Sequence, residues 1–281
     1  MDKRKLEESF FKVLMVASTL IVVGSLLAVI GVVVLKGLPA LSLSMITQTP
    51  TGGYYLGKEG GILNAIVGSL YLAGGATALA FVISLPIALY LQEYADSRLA
   101  SFTRLSLDVL WGVPSIVYGA FGFAFMLYLG LTASLLWGII VVALLVLPIM
   151  IRSMDEVVKM VSFGMKEASY ALGATKLETV LNVVSRQALP GILTAVLLAF
   201  GRGIGDAASV LFVSGYTDYI PTSLFDPVAT LPLAVFFQLG TPFPEVQQRA
   251  YASAVVLLGI VLLLSVGSRL LSKKFTKYVI K

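Results

Sequence analysis

Long apolar runs, broken by short polar and mostly basic segments, dominate this chain. A helix needs about 20 apolar residues to cross the hydrocarbon of a bilayer. Six stretches meet that length: 10–35, 63–91, 108–129, 131–151, 189–214 and 251–271. The pattern predicts an all-α integral membrane protein with six transmembrane helices. Gly130 is expected to join the third and fourth spans in a tight helical hairpin. The first run is longer than a signal-peptide core and no small-residue cleavage pattern follows it, so it is expected to remain as a span. This divides the chain into an N-terminal helix with its outer loop, 1–62, and a core, 63–281.

Lysine and arginine set the orientation. With the N-terminus in the cytoplasm, the inner segments carry Lys3, Arg4, Lys5 and Lys12, then Arg98 and Arg104. They continue with Arg152, Lys159, Lys166, Lys176 and Arg186, and with Arg269, Lys273, Lys274, Lys277 and Lys281. That is 16 of 20 basic residues on one side; Lys36, Lys58 and Arg249 lie outside, and Arg202 falls inside a span. Both termini are therefore expected in the cytoplasm of a multi-pass cell-membrane protein. Two outer loops, 36–62 and 215–250, are unusually long. Within the second, 231–239 is apolar but too short to span, which leaves a partly re-entrant helix or an interfacial one.

Composition sharpens the picture. The chain is 58% hydrophobic and 12% charged, the latter roughly half the share of a soluble domain, so apolar surface has to face lipid. The net charge of +5 follows the loops rather than forming a nucleic-acid patch. With no cysteine and no histidine, disulfides, thiolate metal sites and imidazole proton shuttles are excluded. No cofactor is called for.

The long inner loop, 152–188, contains Glu167-Ala168-Ser169-Tyr170-Ala171-Leu172-Gly173-Ala174-Thr175-Lys176. Good helix formers run over 165–172, Ser162 is placed to cap the start, and Gly173 supplies a stop or sharp turn. A short helix, a glycine turn and a second helix under the membrane make a knob that another protein can grip. This stretch resembles the cytoplasmic loop of binding-protein-dependent ABC importers, in which Glu-Ala-Ala, three residues and Gly mark a coupling helix that enters a groove on the ATPase. The resemblance gives Glu167, Ala168 and Gly173 that role, between spans four and five. Downstream the family has an Ile-x-Leu-Pro-like segment, where this chain has Val183-Val184-Ser185-Arg186 and delays its proline to Leu189-Pro190-Gly191.

Three further runs narrow the likeness. Gly60-Gly61-Ile62-Leu63-Asn64-Ala65-Ile66-Val67-Gly68-Ser69 opens the second span, Gly112-Val113-Pro114-Ser115-Ile116-Val117-Tyr118-Gly119 lies in the third, and Gly201-Arg202-Gly203-Ile204-Gly205-Asp206-Ala207-Ala208 in the fifth. Together they are similar to the phosphate-specific permeases of the PstA type, from about residue 60 to about 250. The resemblance implies a permease subunit of an ATP-driven phosphate importer. Its implied partners are ATP-binding cassette ATPase subunits, a second homologous permease and an extracytoplasmic phosphate-binding protein.

Arg202 is the candidate with the clearest physical meaning. An ionised side chain at the centre of a span costs a few kcal/mol and persists only where it faces protein or water. Asp206, four residues on, shares its helix face. The pair either fixes packing or presents a planar guanidinium to an anion such as phosphate. In the family the acidic position is more often Glu. Resemblance also points to Arg152 at the inner end of span four, where a basic anchor reaching for the interface is the other reading.

Two near-motifs carry nothing. Residues 52–59 almost spell a P-loop, but Glu59 stands where a hydroxyl is required and no strand precedes it. Gly201, Gly203 and Gly205 have the wrong spacing for a dinucleotide fingerprint and lie in an apolar helix. Without a P-loop the chain is not expected to hydrolyse ATP. Rival readings are a permease for another oxyanion (molybdate or sulfate), an ion-coupled transporter, for which no second copy of the Arg202 region is found, and a membrane-embedded enzyme using Arg202 and Asp206, for which a second acid or metal cluster is missing.

Overall fold

A computed structural model describes residues 3–51 and 59–276, and almost all of these are helical. The P-loop-like run 52–58 and the basic residues Lys277 and Lys281 lie outside the described residues. Nine helices carry the architecture: α1 (Lys3–Gly37), α2 (Leu63–Glu93), α3 (Arg98–Trp111), α4 (Ser115–Tyr128), α5 (Leu135–Lys159), α6 (Phe163–Ala171), α7 (Lys176–Ile204), α8 (Leu231–Leu239) and α9 (Pro244–Thr276). A two-residue antiparallel pairing of Pro50–Thr51 with Glu59–Gly60 is the one piece of sheet among the described residues. Five of the helices, α1, α2, α5, α7 and α9, are each long and apolar enough to cross a membrane, and the bent pair α3 and α4, taken as one span, brings the number to six.

The centre is a three-helix core of α2, α5 and α7. Leu72, Ala76 and Ala80 of α2, Val142, Val146 and Met150 of α5, and Ile192, Ala195 and Ala199 of α7 belong to one buried cluster. In each helix these positions recur every three or four residues, so one stripe faces the partners. Small residues set the spacing, because lipid supplies no hydrophobic drive between helices and contact must come from close backbone approach. A Cβ on Gly138 would meet Leu72 at 2.7 Å, and one on Gly191 would meet Val157 at 2.2 Å. With Gln92 of α2 also meeting Asp155 of α5, and Gly203 of α7 meeting Val142 of α5, α2 and α5 run parallel and α7 antiparallel to both. Against this core α1 is peripheral: its most apolar stretch has no buried residue, and Gly37 fits it to Tyr251 and Val255 of α9.

Three expectations need correction. The third span is not one helix over 108–129. Its two helices meet at an angle of 100°, because Pro114 lacks an N–H and bars helical geometry at Val113 before it. The first of them, α3, lies across one end of the bundle. Ala100 and Leu107 pack on Leu91 of α2 and Ile151 of α5, while Leu99, Phe102, Leu105 and Val109 are exposed. The join to span four is also looser than a direct hairpin. Gly130 turns the chain with a φ of 68°, but α5 starts at Leu135, where the Ser134 hydroxyl accepts from the Trp137 N–H.

The fifth span differs most. Its helix begins at Lys176, runs through a π-helical stretch, Val180–Val184, and passes straight through Pro190 and Gly191. It stops at Ile204, and 205–214 continues as turns. Irregular backbone at membrane depth survives only where protein or water covers it, and here Ser209, Val210, Val213 and Ser214 are buried.

The outer loop 215–250 is likewise more deeply packed than an interfacial segment. Leu231, Leu233 and Ala234 of α8 are fully buried, and the Ser69 hydroxyl of α2 accepts from the Leu231 N–H at 2.8 Å. Asn64 donates to the Thr217 carbonyl at 2.6 Å, and Gly68 lies under the Ala229 carbonyl. The loop between them is folded around Asp226, which accepts from the N–H groups of Thr222 and Ser223. Those bonds hold the Asp226 carboxyl below the ordinary carboxylate range.

Candidate functional site

Arg202 occupies the last turn of α7, and Asp206 follows the point where that helix ends. The guanidinium Nη1 donates to Asp206 Oδ1 at 3.0 Å, and Asp206 Oδ2 accepts from the Ser209 N–H at 2.8 Å. Both carboxylate oxygens are thus engaged, one by the ion pair and one by the turn that replaces the helix. The partners differ in exposure: the Asp206 side chain is 4% exposed and that of Arg202 is 44% exposed. Asp206 is the buried anchor and Arg202 is the group presented. Among the described residues, the other guanidinium N–H groups have no protein acceptor.

Depth gives this arrangement its meaning. Gly203, next to Arg202, approaches Val142 and Val146, about ten residues in from the start of α5, or roughly 15 Å by helical rise. A half-exposed guanidinium near mid-membrane cannot face lipid without severe cost. That face of the chain is one that water or protein covers. The C-terminal carbonyls of α7 also make the site favourable for the cation.

Gly119 of α4 explains how the broken span is held. A Cβ there would lie 2.8 Å from the Ser209 carbonyl oxygen and 2.9 Å from that of Ala208. The glycine therefore lets α4 back directly onto the turn that carries Asp206. Ser209 is fully buried, and its hydroxyl has no hydrogen-bond partner among the described residues.

Arg152 is not part of this cluster. It lies six residues beyond Val146 on α5, roughly 9 Å by helical rise, and its Nη2 pairs with Asp108 Oδ1 of α3. Around it the inner end of the bundle is tied by charge. Arg104 of α3 donates to the Leu91 carbonyl at 2.8 Å, neutralising the C-terminal end of α2, and its Nε stands 3.9 Å from Asp155 of α5. Gln92 Nε2 donates to Asp155 Oδ1 at 2.7 Å.

Glu167, Ala168 and Gly173 lie at the same end. No residue of α6 is buried; Glu167 and Ala168 are exposed, and Leu172 is 89% exposed. Gly173 turns the chain with a φ of 85°, a left-handed conformation that side chains rarely adopt. Thr175 and Glu178 then form a capping box at the start of α7. The signal for it, Thr-x-x-Glu, was legible in the sequence. Two lysines fix the hairpin to α2: Lys166 Nζ donates to Glu93 Oε1 at 2.7 Å and Lys176 Nζ to the Glu93 carbonyl at 3.0 Å. Glu93, Lys166 and Ser209 are the residues that no motif contained, since each matters through a contact distant in the chain.

The family model described as "Binding-protein-dependent transport system inner membrane component" matches residues 84–277. The phosphate transport system permease protein PstA of Haemophilus influenzae is 34% identical over 239 residues, covering 84% of this chain and 83% of that one. The protein of the same name from Mycobacterium leprae is 33% identical over 262 residues, covering 92% of this chain and 86% of its own. Among solved structures, an inward-facing conformation of the MetNI methionine ABC transporter superposes with a TM-score of 0.64 over 76% of this chain and 95% of that one. At 20% identity this last likeness concerns the fold alone.

Proposed function

Because the chain belongs to the family of binding-protein-dependent transport system inner membrane components, we propose that it is one permease subunit of an ATP-driven phosphate importer. The observation that carries this reading is Arg202, a half-exposed guanidinium near mid-membrane held in place by a buried carboxylate. Asp206 spends its charge on one nitrogen of the arginine, and the rest of the planar fork matches the oxygens of a phosphate. The PstA proteins to which the chain is similar support phosphate over molybdate or sulfate.

In this reading the uncovered Arg202 face meets a second, related permease, and the path lies between them. Arg152 serves as a later contact at the inner end, reached when its pairing with Asp108 opens. A binding protein delivers phosphate outside. Separate ATPase subunits hydrolyse ATP and grip the exposed surface around Glu167, Ala168, Leu172 and Gly173. Residues 63–281 form the transport core, with 1–62 an added N-terminal helix and outer loop.

The direct test is reconstitution of the chain with its ATPase, second permease and binding protein in vesicles. ATP-dependent uptake of labelled phosphate is expected, resisting an excess of molybdate or sulfate. Uptake blocked equally by either competitor would move the assignment to another oxyanion.

Orientation has its own test, simplified by the absence of native cysteine. In the chain expressed without its ATPase, Leu172→Cys should react with an impermeant thiol reagent from the cytoplasmic side only. Leu224→Cys, half-exposed at the opposite end, should react only from outside. Reaction of both from one side would overturn the six-crossing topology.

A further inference from the structure

The docking hairpin is useful only if its movement reaches the spans, and the structure contains one place where it is tied to them. Each limb of the hairpin contributes a lysine, and both converge on Glu93, the last residue of α2. From α6, Lys166 pairs with the Glu93 carboxylate at 2.7 Å; the side chains are 15% and 9% exposed, so the pair is shielded from water. From the start of α7, Lys176 donates to the Glu93 carbonyl and stands 4.5 Å from the centre of the Tyr94 ring, which itself stacks on Tyr90. The limbs are joined to each other through the hydroxyls of Ser169 and Thr179, 2.9 Å apart.

Apolar packing ties the α7 limb alone, where Val180 and Val184 join the buried cluster of Ala88 and Leu89; α6 has no buried residue. A cavity of about 340 Å³ lies beside this tie, lined by Leu85 and Leu89 of α2 and by Leu177, Val180 and Leu181 of α7. The hairpin thus meets the inner end of α2 across a gap, with the charged clasp at its edge. Among the described residues, Lys166–Glu93 is the one polar side-chain contact from α6 to α2. A shielded ion pair of this kind resists separation, because parting it leaves two poorly solvated charges.

What lies beyond Glu93 suits a lever. Gln92 carries the connection on to Asp155 of α5, and α5 is the wall against which Gly203, beside Arg202, packs. Two turns before Glu93, Pro86 removes a rung from the hydrogen-bond ladder of α2, a position where helices bend.

We propose that Glu93 is the positioning residue through which the docking hairpin moves the spans, and that the Glu93–Lys166 pair couples ATP hydrolysis to transport. The proposal rests on the permease reading. Glu93 touches no substrate; it acts by holding α2 and, through Gln92, α5 to the hairpin.

The test uses the assembled complex in vesicles and reads phosphate taken up per ATP hydrolysed. Glu93→Gln and Lys166→Met, singly and together, are expected to assemble and keep stimulated ATPase activity while that ratio drops about tenfold. The combined variant separates mechanics from charge balance, since it leaves no buried charge unpaired. A pair that only neutralises charge predicts a normal ratio there. A second pair, Glu93→Cys with Lys166→Cys, introduces the sole thiols of the chain. Bridging them with a short bifunctional thiol reagent is expected to restore the ratio, and leaving them unbridged is not. A normal ratio in the neutral pair or the unbridged thiol pair, or no recovery on bridging, overturns the proposal. Failure of the unaltered complex to transport phosphate would instead overturn the permease reading, and would be seen before any variant is made.

Discussion

A complex in which Arg202→Met is combined with Asp206→Asn should assemble normally and lose phosphate uptake by about a hundredfold. The combination is dictated by the two oxygens of Asp206. One meets the guanidinium and the other accepts from the Ser209 N–H, so an apolar replacement would strand a buried donor as well as remove a charge. Asn keeps an acceptor for Ser209 and carries no charge, and Met fills the space of the arginine stem. Neither partner is left as an orphan ion, the situation that makes single changes in buried pairs so damaging. What the double variant loses is the exposed guanidinium. Arg202→Lys is expected to be poor too, because an ammonium retains the charge but not the fork. Phosphate uptake into vesicles, normalised to assembled complex, decides the matter. Near-normal uptake by the double variant would reduce the pair to packing and leave Arg152 as the next candidate.

Replacing Gly119 should be almost as costly without touching any charge. Its missing Cβ is what allows α4 to lie against the carbonyls of Ala208 and Ser209. Those are backbone atoms and cannot rotate aside. Gly119→Ala must push α4 or the turn outward, at a cost of about 1–3 kcal/mol for overpacking. Any shift of the turn passes through Ser209 to Asp206 and so to Arg202. Lower thermal stability in detergent and loss of most uptake are the expected results. Gly24→Ala is the control: α1 offers open space there, and alanine favours helix, so stability and uptake should hold. Equal behaviour of the two variants would mean that the α4 contact does not position the site.

The candidate crossings, five or up to six, and the meeting of Arg104, Arg152, Lys166 and Lys176 at one end of the bundle were legible because both are composition effects. Span lengths follow from hydrocarbon thickness, and charge bias from the loops. Hydropathy is blind to backbone geometry, which is where the reading failed. The stretch 108–129 is apolar enough for a span, yet Gly112-Val113-Pro114 contains its own stop signal. The run 205–214 was read as the end of a helix and is instead irregular turns with Ser209, Val210, Val213 and Ser214 buried. For Leu231–Leu239 the choice between a re-entrant and an interfacial helix stayed open, because its burial comes from α2 and α9, which no local pattern reveals. The pairing of Arg202 with Asp206 was readable from four-residue spacing. The unequal exposure that makes one an anchor and the other a contact was not, since it depends on Gly119 and Val142 across the bundle.

The bend before α4 also shapes the surrounding lipid. With 14 residues, α4 rises about 21 Å, against roughly 30 Å of hydrocarbon, while α1, whose most apolar stretch has no buried residue, has 35 residues and exceeds that span. The annulus around the protein is therefore uneven: acyl chains must compress on the α4 flank and stand at full height on the other. Such a mismatch costs fractions of a kcal/mol for each ångström. Any change in the tilt of α4 during the transport cycle exchanges energy with the bilayer as well as with ATP, which makes membrane thickness a silent participant in the conformational equilibrium.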